Sequence, residues 1–385
     1  MYQPIFNEVT SAVFYFLVCF LIVFLAWQGE KKKNKKTILW AYVVLGLITV
    51  LRFDIGNDYV EYVNMVQEEV KLTSLGYSPI QQWLYNDYRP EFSFYFLSWF
   101  FSWLPHPYVA VIGIYGLIAI VLLYKSLNRY HGYHALGLLI YILSGIMFNS
   151  WDWVRQSVAF MIVLYSLQYI EERKPIKFFL TIIIGMLFHN SIILMLPFYF
   201  VTYLHINRYI IAGTLLLAIV MYFLGIFGDV LGDIMQYADL AEGYESYAKN
   251  QQALEQAESL SFKLRCLLYV FMWSALILLM PKKENVKKNL LFIGAVFFLI
   301  ASGSQALQRI SFYFLIACIP ALPCAWQHLK LQKAAVFKTA IITLLITMSG
   351  LWVRDIITHN NRGCTPYDSI LFENFANQKF RPKNY

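Results

Sequence analysis

Charge is what this sequence has least of. Only 14% of its 385 residues are Asp, Glu, Lys or Arg, where a soluble globular chain usually carries about 25%. A soluble fold must cover its surface with polar groups, so the scarcity excludes an ordinary soluble enzyme. Cysteine is sparse and scattered: Cys19, Cys266, Cys318, Cys324 and Cys364 show neither metal-site spacing nor a disulfide framework. No basic segment precedes the first apolar run, so a cleavable signal peptide is not expected. A glycine-rich phosphate loop, an Asp-x-Asp pair, a fixed-period repeat and a low-complexity linker are also missing. These absences leave no metal or cofactor to expect.

What is present is apolar. Hydrophobic residues make up 59% of the chain and mean hydropathy is +0.53, in runs long enough to cross about 30 Å of hydrocarbon. Candidate spans fall at 9–28, 37–53, 107–124, 133–150, 156–170, 176–190, 191–205, 208–227, 263–280, 288–306, 310–327 and 335–353. The expected fold is therefore an all-α, polytopic integral membrane protein of about twelve transmembrane helices, forming one domain over 1–385. Residues 91–104 are apolar but short and end at Pro105-His106-Pro107, so they read as a half-inserted helix.

Formal net charge is +8, yet nucleic acid is not the implied partner. Lys31, Lys32, Lys33, Lys35 and Lys36 follow the first span, which places that loop in the cytoplasm and the N-terminus outside. Alternation then puts the 125–132, 171–175, 281–288 and 328–334 loops inside, each of them basic. The outer segments become 54–106, 228–262 and 354–385, with an amphipathic helix expected over 248–261. Lysine dominates the inner loops, whereas arginine is enriched on the outer side. A point charge suffices to orient a helix, while the planar arginine fork suits phosphate or carboxylate.

Most of the remaining polar residues gather on that outer face. Arg52 ends the second span, followed by Asp54, Gly56, Asp58 and Tyr59. A continued helix would set both carboxylates on one face beside Arg52, while Gly56 favours a turn. Arg89 and Glu91 stand at the mouth of the half-helix. Trp151 and Arg155-Gln156 open the fifth span, where an arginine must find a partner or reach for water. His189, in Phe188-His189-Asn190-Ser191, interrupts an apolar run; it marks a tight turn or a group able to move a proton. Arg309 and Tyr313 lie one turn apart at the start of the eleventh span.

These residues are similar to landmarks of one family. The run Arg52-x-Asp54-x-Gly56-x-Asp58-Tyr59-x-x-Tyr62 resembles the start of the EpsG-type branch of Wzy polysaccharide polymerases. So do Val154-Arg155-Gln156-Ser157-Val158-Ala159, Phe188-His189-Asn190-Ser191 before Leu196-Pro197, Arg309-x-x-x-Tyr313-Phe314 before Ile319-Pro320, and Thr365-Pro366-Tyr367-Asp368. The resemblance spans nearly the whole chain and implies a metal-independent glycosyltransferase of GT-C-like architecture in a bacterial cytoplasmic membrane. Its implied substrates are undecaprenyl-pyrophosphate-linked oligosaccharides, as donor and acceptor, entering from membrane lipid, with a chain-length regulator as a further partner. On that footing His189 is the first choice for the base, with Asp54 or Asp58 as the alternative. Arg155 and Arg309 would hold pyrophosphate, helped by Arg52 and Arg89. Tyr59, Glu91, Trp151, Gln156, Tyr313 and Tyr367 would meet the glycan.

Rival classes want other features. A glycan ligase is usually marked by a large outer loop bearing a histidine, which 228–262 lacks. An acyltransferase needs its histidine and carboxylates toward the cytoplasm, where these loops are lysine-rich. A flippase or transporter needs polar groups at mid-membrane, and the span centres here are nearly uncharged. A scaffold would not need the shared arginines.

Overall fold

The computed structural model describes residues 6–85, 90–129, 133–227, 260–303, 305–331, 335–358, 362–372 and 380. These residues are helical, with no β-strand beyond one isolated bridge between Arg52 and Ser369. In chain order the helices are α1 (Glu8–Lys31), α2 (Lys35–Val50), α3 (Tyr59–Ser74), α4 (Pro79–Tyr85), α5 (Phe92–Phe100), α6 (Pro107–Arg129), α7 (His134–Leu143), α8 (Ile146–Asp152) and α9 (Val154–Glu171). There follow α10 (Pro175–Gly185), α11 (Phe198–Val201), α12 (Arg208–Phe223), α13 (Leu260–Leu279), α14 (Asn285–Ile300), α15 (Gln305–Leu315), α16 (Cys318–Leu331) and α17 (Ala335–Ile357).

Among the described residues five helical stretches are long and apolar enough to cross a membrane: Glu8–Lys31, Pro107–Arg129, Phe262–Leu279, Leu307–Leu331 and Phe337–Ile357. A sixth arises if α7 and α8, bent by 62°, count as one span. Gly145, at φ +75°, sits at that bend. The other expected spans coincide with helices that are shorter, such as α2 with 16 residues, α10 with 11 and α12 with 16. Local chemistry sets their ends. The Asn34 side chain caps α2 through Lys36 N (3.0 Å), and Asn207 caps α12 through Tyr209 N (2.9 Å).

One expectation changes, and one open alternative is decided. Residues 191–205 are not one helix but a 3-10 turn, Asn190–Met195, followed by the four-residue α11. Pro197, which lacks an N–H and pushes its predecessor out of the α region, stands between them. For Asp54 and Asp58 the turn at Gly56 is found, not the continued helix. The α2 helix stops at Val50, Asp54 takes φ +49° and Gly56 φ +103°, and the chain turns before α3 begins. By contrast α5 has nine residues, about 14 Å of helix, too short to span.

The chain divides into two compact units: 1–169 with 174–193 and 342–385, and 170–173 with 194–341. In the first, α1 packs against α2 and α7, α2 against α6, and α3 against α5 and α6. The segment after α17 returns to the start of this unit. Phe53 N donates to Asp368 O (3.0 Å), Ile370 N to Leu51 O (2.9 Å) and Gly56 N to Gly363 O (3.3 Å). Tyr367 packs on Phe14 with ring centroids 4.5 Å apart, and Tyr15 donates to the Cys364 carbonyl. In the second unit Asn289 Nδ2 gathers the carbonyls of Val201, Thr202 and Leu204 (3.3, 3.0 and 2.7 Å), and Lys287 meets Glu171 and Glu284 at 2.5 Å each. The first set satisfies backbone groups left over around the short α11.

A side chain at Gly56 would place its Cβ 3.0 Å from the Trp151 carbonyl, at a φ that L-residues disfavour. Gly56→Ala is therefore expected to destabilise by about 1–3 kcal/mol. A thermal-unfolding midpoint equal to wild type in detergent would refute this.

Candidate active site: one carboxylate between a guanidinium and an imidazole

Glu91 is the residue before α5, in extended backbone (φ −68°, ψ 152°) after Pro90. Its carboxylate points inward and is 5% exposed. Arg155 Nη1 donates to its Oε2 at 2.5 Å. On the other side His189 Nδ1 stands 2.8 Å from Oε1, and Asn190 N donates to the same oxygen at 3.1 Å. Three segments distant in sequence thus converge on one carboxylate.

Each arm is positioned by local structure. Arg155 lies in the first turn of α9, where the helix fixes its Cα. His189 follows the C-terminal turn of α10, with its N–H on Gly185 O (3.1 Å) and its carbonyl taken by Ile192 N (3.2 Å). A Cβ on Gly185 would collide with Ile192, so glycine lets the 3-10 turn fold back close to α10. The tight-turn reading of His189-Asn190-Ser191 and the proton-moving reading are then compatible. Ser93 N donates to Leu187 O (3.0 Å), tying α5 to that turn, and Ser93 Oγ pairs with Tyr115 OH at 2.6 Å.

Aromatic rings surround the charges. The Arg155 guanidinium lies 5.8 Å from the Tyr62 ring centroid and 5.7 Å from that of Phe94, within cation–π range. Tyr115 contacts Phe94 and Phe188 at centroid distances of 6.5 and 6.0 Å. Exposure rises from Glu91 at 5% through Arg155 at 17% to His189 at 28%. A ligand therefore reaches the imidazole first and the carboxylate hardly at all.

Burial pushes the Glu91 carboxyl up, but the His189 imidazole, the Arg155 guanidinium and the Asn190 N–H outweigh it and hold it at about 2, against an ordinary 4.5. Glu91 is thus ionised at neutral pH, with its Oε1 at ion-pair distance from His189 Nδ1. The sign for stability follows. A depressed carboxyl favours the folded state fully above 4.5, and that contribution is lost as pH falls toward 2. Glu91→Gln should flatten the acid limb of a stability–pH curve in this window. An acid limb as steep as in wild type would contradict the ion cluster.

The other expected site residues divide. Arg52 is buried and donates to the carbonyls of Thr49 and, at 3.5 Å, Trp151. Asp58 N donates to Asp152 Oδ1 at 3.1 Å, which anchors the start of α3, the helix that carries Tyr62. Trp151 is 1% exposed and its indole N–H is on Thr49 Oγ1 (3.1 Å). Tyr59 and Tyr367 are likewise buried, the latter with its hydroxyl on Ile48 O (3.3 Å). These three pack the core in this structure. Gln156 is buried beside Arg155. Arg309, half-buried, and Tyr313, buried, lie on α15 in the other unit. Arg89 lies outside the described residues, as does the expected helix over 248–261 except for its last two positions. Among the described residues no group of three His, Cys, Asp or Glu side chains forms a metal-ligand set.

Sequence reasoning found all three charged groups but placed Glu91 with the sugar contacts. Tyr62 and Phe188 were visible within the Arg52–Tyr62 and Phe188–Ser191 motifs, whereas Phe94 and Tyr115 read as plain membrane residues. Asn190 contributes only its backbone, so any residue but proline serves there.

The described residues form a helical protein with several apolar helices long enough to cross a membrane, in which Glu91, Arg155 and His189 come together at helix ends. A family model described as EpsG family matches residues 35–369, and the chain belongs to the EpsG family, a Wzy-type family of polysaccharide polymerases. No curated protein and no solved structure matches it.

Proposed function

We propose that this protein polymerises undecaprenyl-pyrophosphate-linked oligosaccharide repeat units on the outer face of a bacterial cytoplasmic membrane, passing the growing glycan to the next lipid-linked unit. The observation that carries the reading is the single carboxylate standing between Arg155 and His189. Glycosyl transfer from a pyrophosphate needs those two neighbours at once. The acceptor hydroxyl must give up a proton while the anomeric C–O bond breaks and its electron pair leaves on the pyrophosphate oxygen.

In this mechanism His189 Nε2 takes the hydroxyl proton and the hydroxyl oxygen attacks the anomeric carbon. Glu91 stabilises the resulting imidazolium. Arg155 donates to the departing pyrophosphate, whose charge grows as the bond breaks. The proton then passes from His189 to the released pyrophosphate. In this reading a polyprenyl chain arrives sideways from lipid past the short α5. Arg309, Arg52 and Arg89 are further pyrophosphate ligands in this reading, Asp54 and Asp58 the reserve bases, and Gln156 and Tyr313 glycan contacts. About twelve crossings in a GT-C-like arrangement, some made by the shorter helices, and a separate chain-length regulator belong to the same proposal.

The test is polymer-ladder formation by the protein in lipid nanodiscs supplied with a lipid-linked repeat unit. His189→Ala is expected to slow chain growth by about 10²–10⁴-fold, the usual contribution of a positioned base, and Asp58→Ala by far less. A wild-type rate for His189→Ala together with abolition by Asp58→Ala would overturn the base assignment.

A further inference from the structure

Glu91 offers one oxygen to each half of the reaction: Oε2 to Arg155 and Oε1 to His189 and Asn190 N. Two separate carboxylates would serve orientation equally well. A shared one does something more, because any change in its hold on one neighbour changes the charge it presents to the other. Resting on the function proposed above, we infer that Glu91 couples the two ends of the site, so that pyrophosphate bound at Arg155 makes His189 a stronger proton acceptor.

The direction follows from electrostatics. Without a ligand the Arg155 guanidinium faces Glu91, with Tyr62 and Phe94 on its flanks, and takes up much of the carboxylate's charge. Among the described residues Arg155 Nε has no hydrogen-bond partner, so the side chain has a donor in reserve for an incoming oxyanion. When pyrophosphate engages Arg155, the guanidinium divides its charge between two anions. The share of Glu91 charge felt by the imidazole rises, and the protonated ring is favoured. Among the described residues, the groups that face this pair are Arg155 from α9, Tyr62 from α3, Tyr115 with Ser93 behind the α5 start, and Asn190 N from the turn itself. None of them carries a second negative charge at neutral pH to duplicate the effect of Glu91.

The consequence is ordered chemistry. The base reaches full strength only when a leaving group is seated, which disfavours proton abstraction from an acceptor while the donor site is empty. Coupling between two binding events is reciprocal, so protonation of His189 must tighten pyrophosphate binding by the same factor.

That reciprocity supplies the test. Inorganic pyrophosphate binding to the purified full-length protein in detergent is measured by calorimetry between pH 5.5 and 8, for wild type, His189→Asn and Glu91→Gln. Pyrophosphate itself titrates in this range, so the variants are read against each other. Wild type is expected to gain about tenfold more affinity on acidification than His189→Asn, and Glu91→Gln to behave like His189→Asn although it keeps the imidazole. Should Glu91→Gln fail to yield a monodisperse protein, Glu91→Asp takes its place, since a shorter side chain cannot span both neighbours. A Glu91 variant that keeps the wild-type gain overturns coupling through the carboxylate, and so does a wild type no steeper than His189→Asn. Absence of any pyrophosphate binding that Arg155→Ala removes would instead sink the pyrophosphate site, and with it the reading on which the coupling rests.

Discussion

Glu91→Gln is expected to abolish polymer formation, with chain growth falling by 10³-fold or more while the protein still reaches the membrane. The substitution keeps the size of the side chain and removes its charge. Arg155 is then a mostly buried cation without its counterion, and breaking a buried pair from one side typically costs about 3–5 kcal/mol. The histidine suffers separately. Where a carboxylate that orients a catalytic imidazole becomes an amide, the wrong tautomer is held and turnover falls by about 10⁴ in the serine proteases. The measurement is the initial rate of ladder growth in nanodiscs, with size-exclusion and thermal profiles recorded on the same samples. In the proposed mechanism Arg155, Glu91 and His189 act as a unit, so the Glu91→Gln/Arg155→Gln double variant should be little worse than the first substitution alone. A Glu91→Gln protein within threefold of wild type would remove the carboxylate from the mechanism.

The second large effect concerns a segment far from the charges. Deleting the chain after Thr358 removes the strand-like pairing of Phe53 and Leu51 with Asp368 and Ile370, the Gly363 carbonyl on Gly56, and Tyr367 from its seat against Phe14. Tyr367 alone, buried among Phe14, Tyr15 and Phe6, is worth about 3–5 kcal/mol on truncation to alanine, as for other large buried side chains. The loss should lower the thermal midpoint clearly and reduce polymerisation by at least 100-fold, since the Gly56 turn leads directly into α3 and Tyr62. Tyr367→Ala should show a smaller loss of the same kind. A truncated protein with wild-type unfolding and wild-type ladders would show that the segment is dispensable.

How much of this was legible in the sequence depends on the kind of interaction. Helix positions were, because apolar runs and asparagine caps are local: α1, α6 and α17 fall where hydropathy puts them. The break at 191–205 was missed although Pro197 was in plain view, since an apolar run of the right length looks like a span whatever its backbone does. Arg155 and His189 stood out as polar groups in apolar surroundings. Their meeting point did not, because the contact between Glu91 and Arg155 joins residues 64 apart, and that from Glu91 to Asn190 joins residues 99 apart. Nothing at those separations is encoded by periodicity. Trp151, Tyr59 and Tyr367, all buried here, show what periodicity leaves open. An aromatic near a membrane face suggests a sugar platform, yet whether its ring faces a ligand or a neighbouring helix is decided by packing alone.

The return of residues 362–372 onto residues 51–56 also has a consequence in time. During synthesis α1 to α17 leave the ribosome before this segment does, so a chain caught at α17 has its arginine, glutamate and histidine but no partner for the Phe53 N–H or the Leu51 carbonyl. Assembly around the Gly56 turn is therefore a late event in the life of each molecule. A premature stop just past α17 is therefore expected to leave each molecule without this last docking step, with the loss of activity predicted above for the deletion.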